Sequence, residues 1–188
     1  MKINEKKNKL CIVGLGYVGL PLAVAFAKKF QVVGFDINPL RIKELEKNFD
    51  KTNEIEKKVL FSVKNNISYT SEINKTKDCN IYIITVPTPI DRANRPNLEF
   101  LINSSNIVGS VLKKKDIVIY ESTVYPGVTE DICVPELEKS SGLKFNKDFF
   151  CGYSPERVNP GDKINTLTKI KKITSGSTPD IAVEIDNL

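Results

Sequence analysis

The stretch Lys9 to Leu22, KLCIVGLGYVGLPL, constrains this chain most tightly. Leu10 to Val13 read as a short, fully buried strand. Gly14, Gly16 and Gly19 follow at G-x-G-x-x-G spacing, and Val18, Leu22, Ala25 and Phe26 recur at helical spacing, so the turn opens a helix. Gly14 permits the tight turn, Gly16 lets the backbone approach a pyrophosphate, and Gly19 lets helix and strand pack closely. A pyrophosphate there would rest on N–H groups at the positive end of the helix dipole. A second apolar run, Val32 to Phe35, ends in Asp36, 22 residues after Gly14. A dinucleotide fold places at that point the carboxylate that accepts hydrogen bonds from the adenosine ribose.

Composition narrows the classes. With 188 residues, one domain with a small extension is expected. The net charge of +5 comes largely from Lys6-Lys7, Lys57-Lys58 and Lys113 to Lys115. These read as solvated surface, because no basic face is interleaved with aromatics as nucleic-acid binding requires. No apolar stretch reaches eighteen residues, and the Lys/Asn/Glu-rich start lacks the apolar core of a signal peptide. Cys11, Cys79, Cys133 and Cys151 lie far apart with no C-x-x-C pair, which fits small buried thiols in a reducing cytoplasmic setting rather than disulfides or a metal site. Histidine is absent, which removes Ser-His-Asp triads, Cys-His pairs, HExxH zinc sites and His-Asp relays. Acid–base work falls to carboxylates, lysines, hydroxyls or water.

In chain order, residues 1–8 read as a flexible arm. Strand one, turn and first helix occupy 9–29, and Gln31 to Phe35 is strand two. Pro39 starts the next helix with Asn38 as its cap. Arg41 lies one turn into that helix, where it can pair with Asp36, stack on an adenine or stand exposed. A short helix falls within 50–66, and Ile67 to Thr70 is a strand. Asn80 to Val86 reads as a central parallel strand that stops at Pro87-Thr88-Pro89. A helix over 98–112 leads to the strand Asp116 to Tyr120, which ends in Glu121-Ser122-Thr123. A helix over 128–139 leads to the strand Phe149 to Tyr153, which ends in Ser154-Pro155-Glu156-Arg157. Asn159 to Asp162 reads as a turn, and Lys169 to Thr174 as one more strand. Ser177 or Thr178, followed by Pro179, marks a helix start. The pattern predicts an α/β fold, a Rossmann-like doubly wound parallel sheet in three αβα layers with strand order 3-2-1-4-5-6. In that order Asp36, Thr88 and Thr123 converge on one crevice, with Glu156 at its edge.

GLGYVGLPLA with Asp36, VPTP at 86–89, ESTVYPGVTE at 121–130 and GYSPERVNPGD at 152–162 resemble the N-terminal NAD-binding domain of the UDP-glucose/GDP-mannose dehydrogenase family. The resemblance covers nearly all of residues 1–188, in the family's order. The wording is most similar to the bacterial UDP-N-acetylhexosamine C6 dehydrogenases of capsule and O-antigen synthesis. It implies oxidation of a sugar C6 alcohol to a uronic acid with reduction of two NAD, through a cysteine-bound thiohemiacetal and thioester. By position, Gly14, Gly16, Tyr17, Val18 and Gly19 would hold the pyrophosphate, and Asp36 and Arg41 the adenosine end. Thr88 and Thr123 would line the nicotinamide side. Thr123 and Glu156 would serve the catalytic water, and Glu156, Arg157 and Val158 would meet a UDP-sugar substrate. The family's nucleophilic cysteine, lysine and asparagine, its dimer-forming central helix and its UDP-binding C-terminal domain correspond to none of these residues. Residues 178–188 then read as the start of a truncated connecting helix, and Cys151 as an inert core thiol.

Two readings of different class follow. One is the cofactor-binding half of a sugar-nucleotide dehydrogenase, a homodimer in its long form and inactive alone. The other is a non-catalytic dinucleotide-sensing or assembly module. Another Rossmann dehydrogenase fits less well, given the missing histidine and the SPERVNPG block.

Overall fold

The computed structural model describes residues 3–157 and 170–188. Its frame is a single seven-stranded sheet: β1 (Lys9–Val13), β2 (Gln31–Phe35), β3 (Ile67–Thr70), β4 (Ile81–Ile84), β5 (Ile117–Tyr120), β6 (Phe150–Tyr153) and β7 (Ser175–Gly176). The order is β3-β2-β1-β4-β5-β6-β7, with every pair parallel except β6–β7. The doubly wound order read from the sequence is therefore present, with one antiparallel strand added at its edge.

Apart from Lys9 at the start of β1, the central strands β1, β4 and β5 are buried at every position because both faces are covered. Alternation divides them cleanly. Leu10, Ile12, Ile81, Ile83, Ile117 and Ile119 enter one core. That core is closed by α1 (Gly19–Phe26), α2 (Pro39–Glu46), α3 (Lys57–Ser62) and α6 (Pro179–Asp186). Cys11, Val13, Tyr82, Ile84, Val118 and Tyr120 enter the other, against α4 (Glu99–Gly109) and α5 (Val134–Ser141). Two helices start as their sequences dictate. The Asn38 side chain accepts from the Leu40 N–H at 3.0 Å, and that of Thr178 accepts from the Ile181 N–H at 3.3 Å.

Several elements differ from expectation. The helix expected over 128–139 begins as a π-helical turn, Val128–Cys133, and becomes α-helical only at Val134. Pro135 has no N–H to return to the preceding turn, so the regular ladder cannot run through it. The strand expected at 169–174 forms instead at 175–176, antiparallel. In the segment read as a flexible arm, residues 4–7 are exposed and both flanks make contacts. The Asn8 side chain is buried and accepts from the Asn4 N–H at 2.6 Å, while the Ile3 N–H bonds Glu184 on α6. Val158, the turn at 159–162 and Lys169 lie outside the described residues.

Candidate functional site

Strand register builds the site. Phe35, Val13, Ile84, Tyr120 and Tyr153 are successive partners across β2-β1-β4-β5-β6. The residues that follow them, Asp36, Gly14, Thr85, Glu121 and Ser154, therefore form a row along the carboxyl edge of the sheet. In a doubly wound sheet this edge, at the point where the order reverses between β1 and β4, is where a ligand binds. A cavity of about 620 Å³ opens there. Gly14, Gly16, Tyr17, Val18, Asp36, Thr88, Thr123 and Glu156 all line it.

Gly14 turns the chain out of β1 with φ +91°, in the left-handed region that suits glycine. Gly19 lies beneath the turn, where an added Cβ would sit 1.8 Å from the Gly14 carbonyl oxygen and 2.4 Å from Thr85 Oγ1. Helix α1 can approach β1 this closely only without a side chain there. Gly16 is the opposite case: nothing lies within 4 Å of the Cβ position, so its open side faces space that a ligand can fill.

The Asp36 carboxylate is held by two backbone donors. Leu15 N–H bonds Oδ2 and Asn38 N–H bonds Oδ1, each at 2.9 Å. A carboxylate offers about four acceptor sites, so two remain for ligand hydroxyls. At the other end, hydroxyls tie neighbouring strand ends. Thr85 Oγ1 reaches the Val13 and Gly14 carbonyls at 3.0 and 2.8 Å. Ser122 Oγ donates to the Val86 carbonyl at 2.7 Å, and Thr88 Oγ1 to the Thr123 carbonyl at 2.6 Å. Thr88 and Thr123 thus meet, as the strand order required.

Arg41 is placed differently from every position weighed for it. It is buried and absent from the cavity wall. Its Nε donates to the Leu15 carbonyl at 2.9 Å, and its Nη2 to Asp50 Oδ1 at 2.7 Å. No local pattern marks Asp50 as its partner, because the contact depends on how the chain returns after α2. Arg157 is exposed, with Nη1 3.5 Å from the Lys171 carbonyl.

Glu121 is a site residue that sequence reasoning passed over. It is 5% exposed, lines the cavity beside Glu156, and its carboxylate pairs with Lys172. Burial raises its pKa above the ordinary value, Lys172 pulls it back, and the Glu156 charge raises it further. The available signal was a charged residue immediately after the buried run of β5. Cys151 is a core thiol: burial pushes its pKa well up, and the nearby Cys133 and Glu130 charges add to the rise. All four cysteines are free and buried. Among the described residues no cluster of His, Cys, Asp or Glu could hold a metal ion, and no helix is long and apolar enough to cross a membrane.

An open parallel sheet, a glycine turn at a helix start and a fixed carboxylate at the end of β2 define a dinucleotide-binding α/β domain. The chain belongs to the UDP-glucose/GDP-mannose dehydrogenase family, whose NAD-binding domain matches residues 8–186. It is 57% identical over 183 residues to UDP-N-acetyl-D-glucosamine 6-dehydrogenase from Pseudomonas aeruginosa, covering 97% of this chain and 43% of that protein. It is 58% identical over 180 residues to the Salmonella typhi protein of the same name, covering 96% of this chain and 42% of that one. The solved structure of UDP-D-ManNAc dehydrogenase from Pyrococcus horikoshii superposes with a TM-score of 0.86 at 31% identity, over 95% of this chain and 43% of that one. The chain thus spans less than half the length of these relatives. Its cofactor is NAD.

Proposed function

We propose that the chain is the cofactor-binding part of a nucleotide-sugar 6-dehydrogenase that oxidises a UDP-N-acetylhexosamine to its uronic acid for surface polysaccharide synthesis. Bound NAD supplies the hydride acceptor, twice per sugar. Gly16, Tyr17 and Val18 hold the pyrophosphate on backbone N–H groups, while Gly14, whose N–H is spent on the Phe35 carbonyl, and Gly19, beneath the turn and off the cavity wall, shape the loop that presents them; Asp36 holds the adenosine ribose. Thr88 and Thr123 line the nicotinamide end. Thr123 and Glu156 orient water near the reacting carbon, and Glu156, Arg157 and Val158 meet the sugar nucleotide. The covalent chemistry belongs to a cysteine outside these residues, since the four present are buried thiols remote from this role. The long form is a homodimer that works in the cytoplasm.

The observation that carries this reading is the convergence of the glycine turn, Asp36, Thr88, Thr123 and Glu156 on one cleft. The level of identity to two UDP-N-acetyl-D-glucosamine 6-dehydrogenases supports the substrate class. The test is NADH absorbance with NAD and UDP-N-acetylglucosamine. The 188-residue chain alone should bind NAD without turnover. A chimera that joins it to the remainder of the P. aeruginosa relative should turn over. A chimera that folds, binds NAD and stays inactive with every UDP-N-acetylhexosamine would favour a non-catalytic module.

A further inference from the structure

The buried ion pair between Arg41 and Asp50 lies outside the cleft but touches the turn that forms its floor. The side chains are 9% and 1% exposed, and Nη2 to Oδ1 is 2.7 Å. Asp50 is fixed from several directions. Thr52 donates to Oδ1 through its N–H at 3.0 Å and its hydroxyl at 2.7 Å. Glu54 and Ile55 donate their N–H groups to Oδ2 at 2.9 and 3.0 Å. One carboxylate thus organises the whole return of the chain after α2.

Arg41 passes that order to Leu15. Both polar backbone groups of Leu15 are taken: its N–H by Asp36 and its carbonyl by Arg41 Nε, each at 2.9 Å. The peptide between Leu15 and Gly16 is planar and trans, so its N–H points opposite to its carbonyl. With the carbonyl held toward Arg41, the Gly16 N–H points away from Arg41, and Gly16 itself lines the cleft while Arg41 does not. Gly16 is also where space is open for a ligand to approach.

We infer that Asp50 is a positioning residue for diphosphate recognition: it fixes Arg41, which fixes the Leu15–Gly16 peptide, which presents its N–H to the dinucleotide. A buried ion pair is poor evidence of stabilisation by itself, since desolvation offsets most of its attraction. Orientation of a binding peptide accounts for an arginine here, where the planar fork makes two divergent contacts at once. Lysine carries all its donors on one nitrogen, so it does not reproduce two donors set apart on a rigid plane. Burial alone would raise the Asp50 pKa, but hydrogen bonds from Thr52, Arg41 and the Ile55 and Thr52 N–H groups outweigh it and hold it below the ordinary carboxylate value.

This inference rests on the NAD-binding reading, and the experiment separates the two. Asp50→Asn and Arg41→Lys are titrated with NAD, ADP and adenosine, with melting curves and Gly16 amide chemical shifts recorded alongside. NAD and ADP should weaken by about fivefold to tenfold, the loss expected for misaligning one hydrogen bond to a charged ligand. Adenosine, which lacks the diphosphate, should bind as to the wild type, and the Gly16 amide resonance should move. Unchanged NAD affinity in a folded variant, or equal losses for ADP and adenosine, overturns the inference. Should Asp50→Asn fail to fold, Arg41→Lys decides by the same criteria. A wild-type chain that binds no NAD overturns the functional reading instead.

Discussion

Replacing Asp36 by alanine separates the cofactor role of this carboxylate from its structural one. Its two oxygens each accept one backbone N–H at 2.9 Å, from Leu15 and Asn38. Asn38 is exposed, so water can replace its lost acceptor, but Leu15 is fully buried, so the stability cost should be about 1–3 kcal/mol, the penalty for leaving a buried donor unpaired. The remaining acceptor sites face the cavity, where the adenosine ribose presents two vicinal hydroxyls. Losing charged acceptors for that pair should weaken NAD by about 1–3 kcal/mol, or about fivefold to 150-fold in Kd. NADP behaves differently, because its 2′-phosphate meets the Asp36 charge in the wild type and no charge in the variant. Isothermal titration of both proteins with both cofactors reads all four constants. The wild type should prefer NAD, and the variant should lose most of that preference. Equal NAD affinity for variant and wild type, or a wild type that prefers NADP, would refute the assignment of Asp36.

Other substitutions test other parts of the structure. Gly19→Ala places a Cβ 1.8 Å from the Gly14 carbonyl oxygen. It should cost at least ~3 kcal/mol in urea unfolding, at or above the usual range for overpacking. Gly16→Ala meets nothing within 4 Å, so its melting temperature should match the wild type while NAD binding falls by about tenfold, 1.4 kcal/mol. Asp116 supplies a pH signature. Burial pushes its pKa up to about 6, although the Lys113 N–H and charge pull it partly back. The folded state therefore holds this proton more tightly than the unfolded state, and the group's contribution to stability falls as pH rises from about 4 to about 6. Asp116→Asn should be more stable than wild type at pH 7, by on the order of 2 kcal/mol, and equal to it below about pH 4. Melting curves across that range should show the gap closing. Finally, burial raises the Cys11, Cys133 and Cys151 thiols, so a thiol reagent at pH 8 should label the native chain slowly and all four cysteines quickly in denaturant.

The frame of this fold is written locally. Apolar runs such as IYII in β4 and IVIY in β5 can be buried on both faces only in a covered parallel sheet, and the glycine turn fixes which strand comes first. Once the strands are known, right-handed crossovers leave few orders, and the carboxyl ends follow. Asp36, Thr88 and Thr123 were legible for that reason: each stands at the end of a recognisable run. Contacts set by chain return were not. Arg41 could be placed one turn into α2, but its choice of Asp50 over Asp36 depends on the loop at 50–55 folding back beneath the turn. Glu121 finds Lys172 across 51 residues of sequence. The π-helical turn at Val128–Cys133 arises because Pro135 interrupts a ladder whose apolar pattern alone reads as one continuous helix.

The most direct test of the central claim is a crystal structure of the chain grown with NAD. The pyrophosphate should lie against the backbone of residues 14–19, the adenosine ribose on Asp36, and the nicotinamide between Thr88 and Thr123. A dinucleotide bound elsewhere on the molecule, or reversed end for end in the cleft, would contradict it.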